Sequence, residues 1–265
     1  MRGVRAVGVA VIAIAGLSAG DAPRRAASAD PAAAPVRFVE GTVHGFLELH
    51  TATGTLLAHG DLLQRITDSG VESRMVFHFP TSIFEERVTF TQAGVFRMRD
   101  YHLVQRGPAF AQDLDVSLSG SGAYVVRTMS HTDSSGKRYV GTLDLPPDTY
   151  NGMVITLAKN LPPGGDRTVH IVAFTPAPRI IELELVSGDT GHVLLGAHEE
   201  TVTHIAVKPK LGALVRLFAI FEGRSPPNSD AWIVTDEVPA FVRFQGPLYS
   251  GPVWRIDLAS PTWPR

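Results

Sequence analysis

The sequence predicts an all-β (mainly β) protein, built as a curved antiparallel sheet of many strands with one central helix. Three observations support this prediction. Short segments rich in Val, Ile, Thr and Phe recur along the chain, and turn signals containing glycine separate them. Several segments alternate apolar and polar residues, as strands with one solvated face do. One segment of helical composition, bounded by proline pairs, interrupts the strands near the middle of the chain.

The strand segments number about 14 or 15, and most of them have one apolar face. In the predicted strand Ile83–Gln92, Phe84, Val88 and Phe90 share one face, and Glu85, Arg87 and Thr89 share the other. Arg179–Val186 and His192–Leu195 are predicted as two separate strands. Half-solvated strands of this kind indicate an antiparallel sheet.

One predicted strand, Leu214–Phe221, has two apolar faces. Leu214, Phe218 and Ile220 lie on one face, and the residues between them, Arg216 apart, are also apolar. Such a strand needs cover on both sides. The predicted helix, an apolar cavity or a partner can supply that cover.

The predicted helix covers Thr149–Asn160. Asp148 is the predicted N-cap, because aspartate accepts hydrogen bonds from the free N–H groups of a first helical turn. Pro162-Pro163 ends the helix.

The N-terminal segment Met1–Ala29 is predicted to be a signal peptide. Two arginines precede the apolar stretch Ala6–Ala19, which is too short to span a membrane comfortably. Small residues at 27–29 fit cleavage after Ala29, and cleavage after Gly20 is also compatible; an uncleaved anchor is the alternative. We therefore expect a periplasmic or secreted protein, with a flexible leader at residues 30–37 and a single β-rich domain at 38–265.

Composition excludes several classes of protein. The chain has no cysteine, which removes disulfides, thiolate metal sites, a thiol nucleophile and a lipidated N-terminal cysteine. A net charge of −2 gives no global attraction to nucleic acid. No segment after Ala29 has the long uninterrupted apolar run that a membrane-spanning helix needs, so we expect no transmembrane segment in the mature chain.

The proline-bounded helix and the C-terminal strands carry a resemblance. The passage from Leu143 to Gly164, together with Ala231–Asp236, Pro239–Phe244 and Val253–Leu258, resembles a family of uncharacterised bacterial periplasmic proteins. That family has a half-barrel related to the lipoprotein-carrier proteins, whose concave apolar face binds acyl chains. The resemblance implies a deeply curved sheet around a helix and transfers no functional residue. A single predicted helix leaves open whether the concave face is a cavity or is filled.

Candidate ligand-binding residues come from two regions. Arg97, Arg99 and Tyr101 are predicted to share a strand face that can hold a phosphate or carboxylate head group. The alternative is a solvated face, paired with Glu85 and Glu86 across the hairpin. The apolar candidates lie on the helix and on the two-faced strand: Met153, Leu157, Leu214, Phe218 and Ile220.

No catalytic, metal or cofactor site is predicted. His192, His198 and His204 are six residues apart, which places neighbours about 20 Å apart along a strand, too far for one zinc ion. Asp113 and Asp115 share a strand face and can act as acid and base, but such pairs are common on exposed strands. The chain has no phosphate-binding loop and no nucleophile elbow.

Three functions remain open. The leading hypothesis is an exported, non-enzymatic binding or carrier protein for a hydrophobic or amphipathic, lipid-like ligand in the cell envelope. The second is an envelope protein–protein interaction module that binds by strand addition. The third is a hydrolase in which distant His and Asp residues converge in a cleft.

Overall fold

The computed structural model describes residues 33–132, 135–174, 177–195, 198–210, 228–235 and 238–259. Their strands form one antiparallel sheet of fourteen strands that is not closed, and one helix, α1, accompanies it. The predicted fold class is confirmed. The predicted strand with Leu214, Phe218 and Ile220 lies outside the described residues.

The elements follow one another as a simple meander in each half of the chain. They are β1 (Val43–Thr51), β2 (Leu56–Thr67), β3 (Gly70–His78), β4 (Ile83–Ala93), β5 (Val95–Arg106), β6 (Gln112–Ser119), β7 (Ala123–Ser130), β8 (Gly136–Thr142), α1 (Val154–Asn160), β9 (Asp166–Ala173), β10 (Arg179–Leu195), β11 (His198–Pro209), β12 (Ser229–Val234), β13 (Ala240–Gly246) and β14 (Trp254–Leu258).

The first and last strands meet in the middle of the sheet. β1 pairs with β2 on one side and with β14 on the other, with Leu47 opposite Leu258 and Leu49 opposite Ile256. The sheet therefore has β8 and β9 as its two edges. The segment that contains α1 joins these edges along the chain.

β10 replaces two predicted strands. Its pairing with β11 continues past Val186 and shifts register between Ser187 and Thr190. The two predicted segments, Arg179–Val186 and His192–Leu195, are therefore one irregular strand. The turn-like Ser-Gly-Asp sequence between them forms a bulge instead of a reversal.

The helix is shorter than predicted. α1 begins after Met153, which makes no side-chain cap bond, so the prediction that Asp148 is the N-cap is wrong. The Asp148 carboxylate instead lies 2.8 Å from His170 Nδ1. Residues 148–151 extend along the free edge of β9, where Tyr150 N donates to His170 O and the Asn151 side chain bonds both backbone groups of Val172. Residues 148–151 therefore bond to the edge of β9 instead of forming the first turn of the helix.

The hydrophobic core lies on one face of the sheet, which we call the inner face. Phe77, Phe84 and Phe90 from the strands are fully buried there, as is Tyr150. α1 packs on this face against β12 and β13. Its buried residues are Thr156, Leu157, Ala158 and Asn160.

The segment at residues 33–41, which we call the N-terminal strap, crosses this core. Ala33 and Ala34 are buried; the Ala34 N–H donates to the Tyr150 hydroxyl, and the Ala34 carbonyl oxygen accepts from the Phe96 N–H. This part of the expected flexible leader at residues 30–37 therefore includes residues that contact the core. Alanines fit here because small side chains allow close approach to the aromatic core.

A buried polar cluster fixes the strap to the helix and the sheet. Glu40, 5% exposed, accepts hydrogen bonds from Lys159 Nζ of α1 and from Gln64 Nε2 of β2. Asn160 Oδ1 accepts from the backbone N–H groups of residues 37 and 38. These bonds satisfy buried polar groups, which would destabilise the fold if they had no partner.

Candidate ligand-binding site on the inner face

Glu86 of β4 carries a carboxyl group toward the inner face. Strand residues two apart point the same way, and Phe84 and Val88 on either side of Glu86 are buried in the core. Glu86 itself is half-buried. No described Lys or Arg forms an ion pair with it. An uncompensated carboxyl group at such a position is unusual in a structural core.

Tyr101 of β5 orients the carboxyl group. Its hydroxyl donates a hydrogen bond to Glu86 Oε1 at 2.9 Å. The Tyr101 ring stacks on Phe174, with centroids 6.2 Å apart and planes within 9°. The backbone N–H of Phe174 in turn donates to the hydroxyl of Tyr249. The stack on Phe174, which is itself hydrogen-bonded to Tyr249, thus helps to fix the tyrosine that bonds Glu86.

Burial changes the protonation of this pair. It raises the pKa of Glu86 from 4.5 to about 7, although the hydrogen bond from Tyr101 acts in the opposite direction. Burial, together with the nearby Glu86 carboxylate, raises the pKa of Tyr101 well above its ordinary value. Near neutral pH the tyrosine stays protonated, and Glu86 exists in both forms.

The surroundings of Glu86 are apolar and half-buried. Met75 lies directly opposite Glu86 on β3, and Leu62 lies opposite Met75 on β2. On β1, Gly45 lies opposite Leu62 and has no side chain. The Leu258 side chain lies close to the space that this leaves. We call Leu62, Met75, Glu86 and Leu258 the inner band. All four are half-buried.

The inner band differs from the next row of the sheet. There Phe84 lies opposite Phe77, both fully buried, and Phe77 lies opposite Gly60. This buried row lies next to the inner band in the same sheet. The band therefore combines accessible apolar surface with one oriented carboxyl group.

The predicted head-group face of β5 is not a single face. The pairing of β4 with β5 shifts register, so that Phe90 faces Met98 whereas Thr89 faces Asp100. Arg99 is the extra residue of this bulge. It reverses the alternation, so Arg97 is half-buried, Arg99 is exposed and Tyr101 is buried. The prediction that the three side chains share one strand face is wrong.

The alternative pairing across that hairpin is also wrong. Glu85 binds Arg74 at 2.9 Å and Arg87 at 2.8 Å, on the outer face. Glu86 binds Tyr101 on the inner face. Arg97 and Arg99 therefore do not pair with either glutamate.

The apolar candidates on the helix segment are core residues. Met153 is 0% exposed and Leu157 is 3% exposed. Both belong to the hydrophobic core. Sequence reasoning missed Glu86 as a site residue, although its position between Phe84 and Val88 was a readable signal.

The histidines form pairs with aspartates in separate places. Such pairs occur on β1, β5, β9 and β11 and in the turn after β7. Asp113 and Asp115 bond His131 and His102, respectively. Although burial opposes it, the hydrogen bonds from His131 and the Gly107 N–H hold the pKa of Asp113 below its usual value. A carboxyl group that stays ionised in this way can form an ion pair, but it is poorly suited to donate a proton as a general acid.

Among the described residues, no group of three His, Asp or Glu side chains is arranged to hold a metal ion. The one described helix is too short to cross a bilayer. Comparison of the chain with protein-family models, curated proteins and solved structures gives no match.

Proposed function

We propose that the protein is an exported, non-enzymatic binding or carrier protein for a hydrophobic or amphipathic, lipid-like ligand of the cell envelope. The observation that carries the proposal is the inner band, where an oriented carboxyl group lies among half-buried apolar side chains. Small-molecule sites commonly have this composition, an apolar lining with few polar groups. The resemblance to the periplasmic half-barrel family points the same way.

The two parts of the site bind the two parts of such a ligand. Leu62, Met75 and Leu258 contact its apolar portion and remove that surface from water. Tyr101 occupies one oxygen of the Glu86 carboxyl group, which leaves the other oxygen for the ligand head group. In its protonated form Glu86 donates a hydrogen bond to a carbonyl or hydroxyl oxygen. In its ionised form it accepts one.

Native mass spectrometry tests the proposal. Residues 30–265 are purified gently from a bacterial periplasm, and any bound molecule is identified by solvent extraction. We expect a reproducible adduct with a lipid-like mass. A clean apo mass, with no gain in thermal stability from added lipids, would overturn the proposal.

A matched pair of variants locates the site. Glu86→Ala should weaken binding of the extracted ligand by about tenfold, because it removes a hydrogen bond to an ionisable group. Glu85→Ala, one residue away on the outer face, should leave the affinity unchanged. Equal effects of the two substitutions would place the ligand elsewhere.

A second candidate, protein binding by strand addition, is favoured by the edge of β8. Residues 148–151 cover the edge of β9, but no described residue pairs with the outer edge of β8. β8 carries exposed Lys137 and Arg138, which favour an acidic strand. A co-purifying protein in place of a lipid adduct would support this function.

A further inference from the structure

A groove of about 580 Å³ crosses the outer face of β4–β8. One row of lining residues runs across the sheet, and each residue in it lies opposite the next one on the neighbouring strand. Asp100 belongs to the adjacent row. We define the outer groove by these residues: Arg87, Asp100, His102, Ser117, Val125 and Val140. It lies on the opposite side of the sheet from the Glu86 carboxyl group and is independent of the proposed carrier function.

Small side chains in the middle of the row form the groove. Ser117 of β6 lies between His102 of β5 and Val125 of β7. In the neighbouring row, Ser119 and Ala123 are also small. Larger residues on the flanking strands rise on both sides of this floor. The volume is within the range of about 300–1,000 Å³ typical of small-molecule sites.

The two sides of the groove differ in chemistry. Val125 and Val140 form an apolar side, and Val140 is 58% exposed. Arg87, Asp100 and His102 form a polar side. A ligand with one apolar and one hydrogen-bonding surface matches this arrangement.

The polar side has one carboxylate with no described partner. Arg87 is paired with Glu85 at 2.8 Å, and His102 with Asp115 at 3.2 Å. Among the described residues, nothing forms a hydrogen bond or an ion pair with the exposed Asp100 side chain. A carboxylate only accepts hydrogen bonds. The free group therefore selects a ligand rich in donors and disfavours an anion.

We propose that the outer groove binds a saccharide. Sugar hydroxyls donate to the Asp100 carboxylate and exchange hydrogen bonds with Ser117. The C–H surface of the ring packs on Val125 and Val140. Pyranose rings have this combination of a hydroxyl rim and apolar faces.

Titration with maltotriose and with chitotriose, followed by amide chemical shifts of the full mature chain, tests the proposal. We expect one of the two sugars to shift the amides of β5–β8 around Ser117 and to leave those of β1 and β14 unchanged. Asp100→Ala should weaken that binding by about tenfold or more. Ser117→Phe should abolish it, because the ring fills the floor of the groove.

Control substitutions come from β10, far from the groove in the strand order. Asp189→Ala and Thr190→Phe alter exposed residues in the same way and should leave sugar affinity unchanged. Thermal unfolding of all four variants confirms that they fold. The proposal fails if neither sugar shifts the groove amides, or if binding survives Ser117→Phe in a folded variant.

Discussion

At the scale of the residue, Glu86 occupies a position where ionisation costs free energy. Its neighbours on the inner face, along β4 and across on β3 and β5, are apolar, and Tyr101 supplies one neutral hydrogen bond. Alternation in the sequence places the side chain on the inner face. The sequence does not reveal that no described cation approaches it, because that depends on strands distant along the chain.

This position makes stability depend on pH. The pKa of Glu86 is 4.5 in an ordinary environment and about 7 in the fold. Between these values the folded state binds more protons than the unfolded state, so stability should fall as the pH rises from 4.5 toward 7 and stay low above it. We expect the decrease in unfolding free energy over this pH range to be about 1–3 kcal/mol smaller in Glu86→Gln than in the wild type.

Urea unfolding at pH 5 and pH 8 measures the effect. The difference in unfolding free energy between the two pH values should be smaller for Glu86→Gln than for the wild type. Glu85→Gln serves as the control for a general charge effect. An unchanged difference in Glu86→Gln would show that the carboxyl group is well solvated.

At the scale of the element, the strands were the most predictable feature. Val, Ile and Phe alternating with charged residues give a period of two, and tight turns require the glycines that mark them. Gly122, for example, has φ +89°, and a side chain there would collide with the carbonyl oxygen of Leu143. The bulge at Arg99 had no such signal, because an extra residue in a strand changes pairing without changing composition. The start of α1 was also missed, because the edge of β9 competes for residues 148–151.

The strap and α1 are joined by the buried pair of Glu40 and Lys159. Lys159→Ala leaves the Glu40 carboxylate buried without its cation, so we expect a loss of about 3–5 kcal/mol in unfolding free energy. The double variant Glu40→Gln/Lys159→Met should lose less, because no charge is left unpaired. Chemical denaturation of the single and double variants measures both losses. A double variant as unstable as Lys159→Ala would contradict this account.

At the scale of the whole molecule, pairing of β1 with β14 unites the two halves of the sheet. Ile256 of β14 is 4% exposed and lies opposite Leu49 and Phe244. Ile256→Ala should lower the unfolding free energy by about 2–5 kcal/mol. Because this contact joins distant parts of the chain, we expect it to form late and the substitution mainly to accelerate unfolding.

Folding and unfolding rates as a function of urea test this order of events. Val116→Ala, in the locally paired strand β6, is the comparison and should slow folding more than Ile256→Ala does. A slower folding rate with unchanged unfolding in Ile256→Ala would place the β1–β14 contact in the folding nucleus instead.

The position of β1 also has a consequence for synthesis. Leu47 is made early, whereas its partner Leu258 belongs to β14, which follows all the other described strands along the chain. Until β14 emerges, one row of backbone N–H and C=O groups along β1 has no strand to pair with, and such an edge can recruit a strand from another nascent chain. The protein therefore passes through a period of exposure to aggregation that ends only when β14 is made. A holding chaperone that covers β1 during that period should raise the yield of native protein.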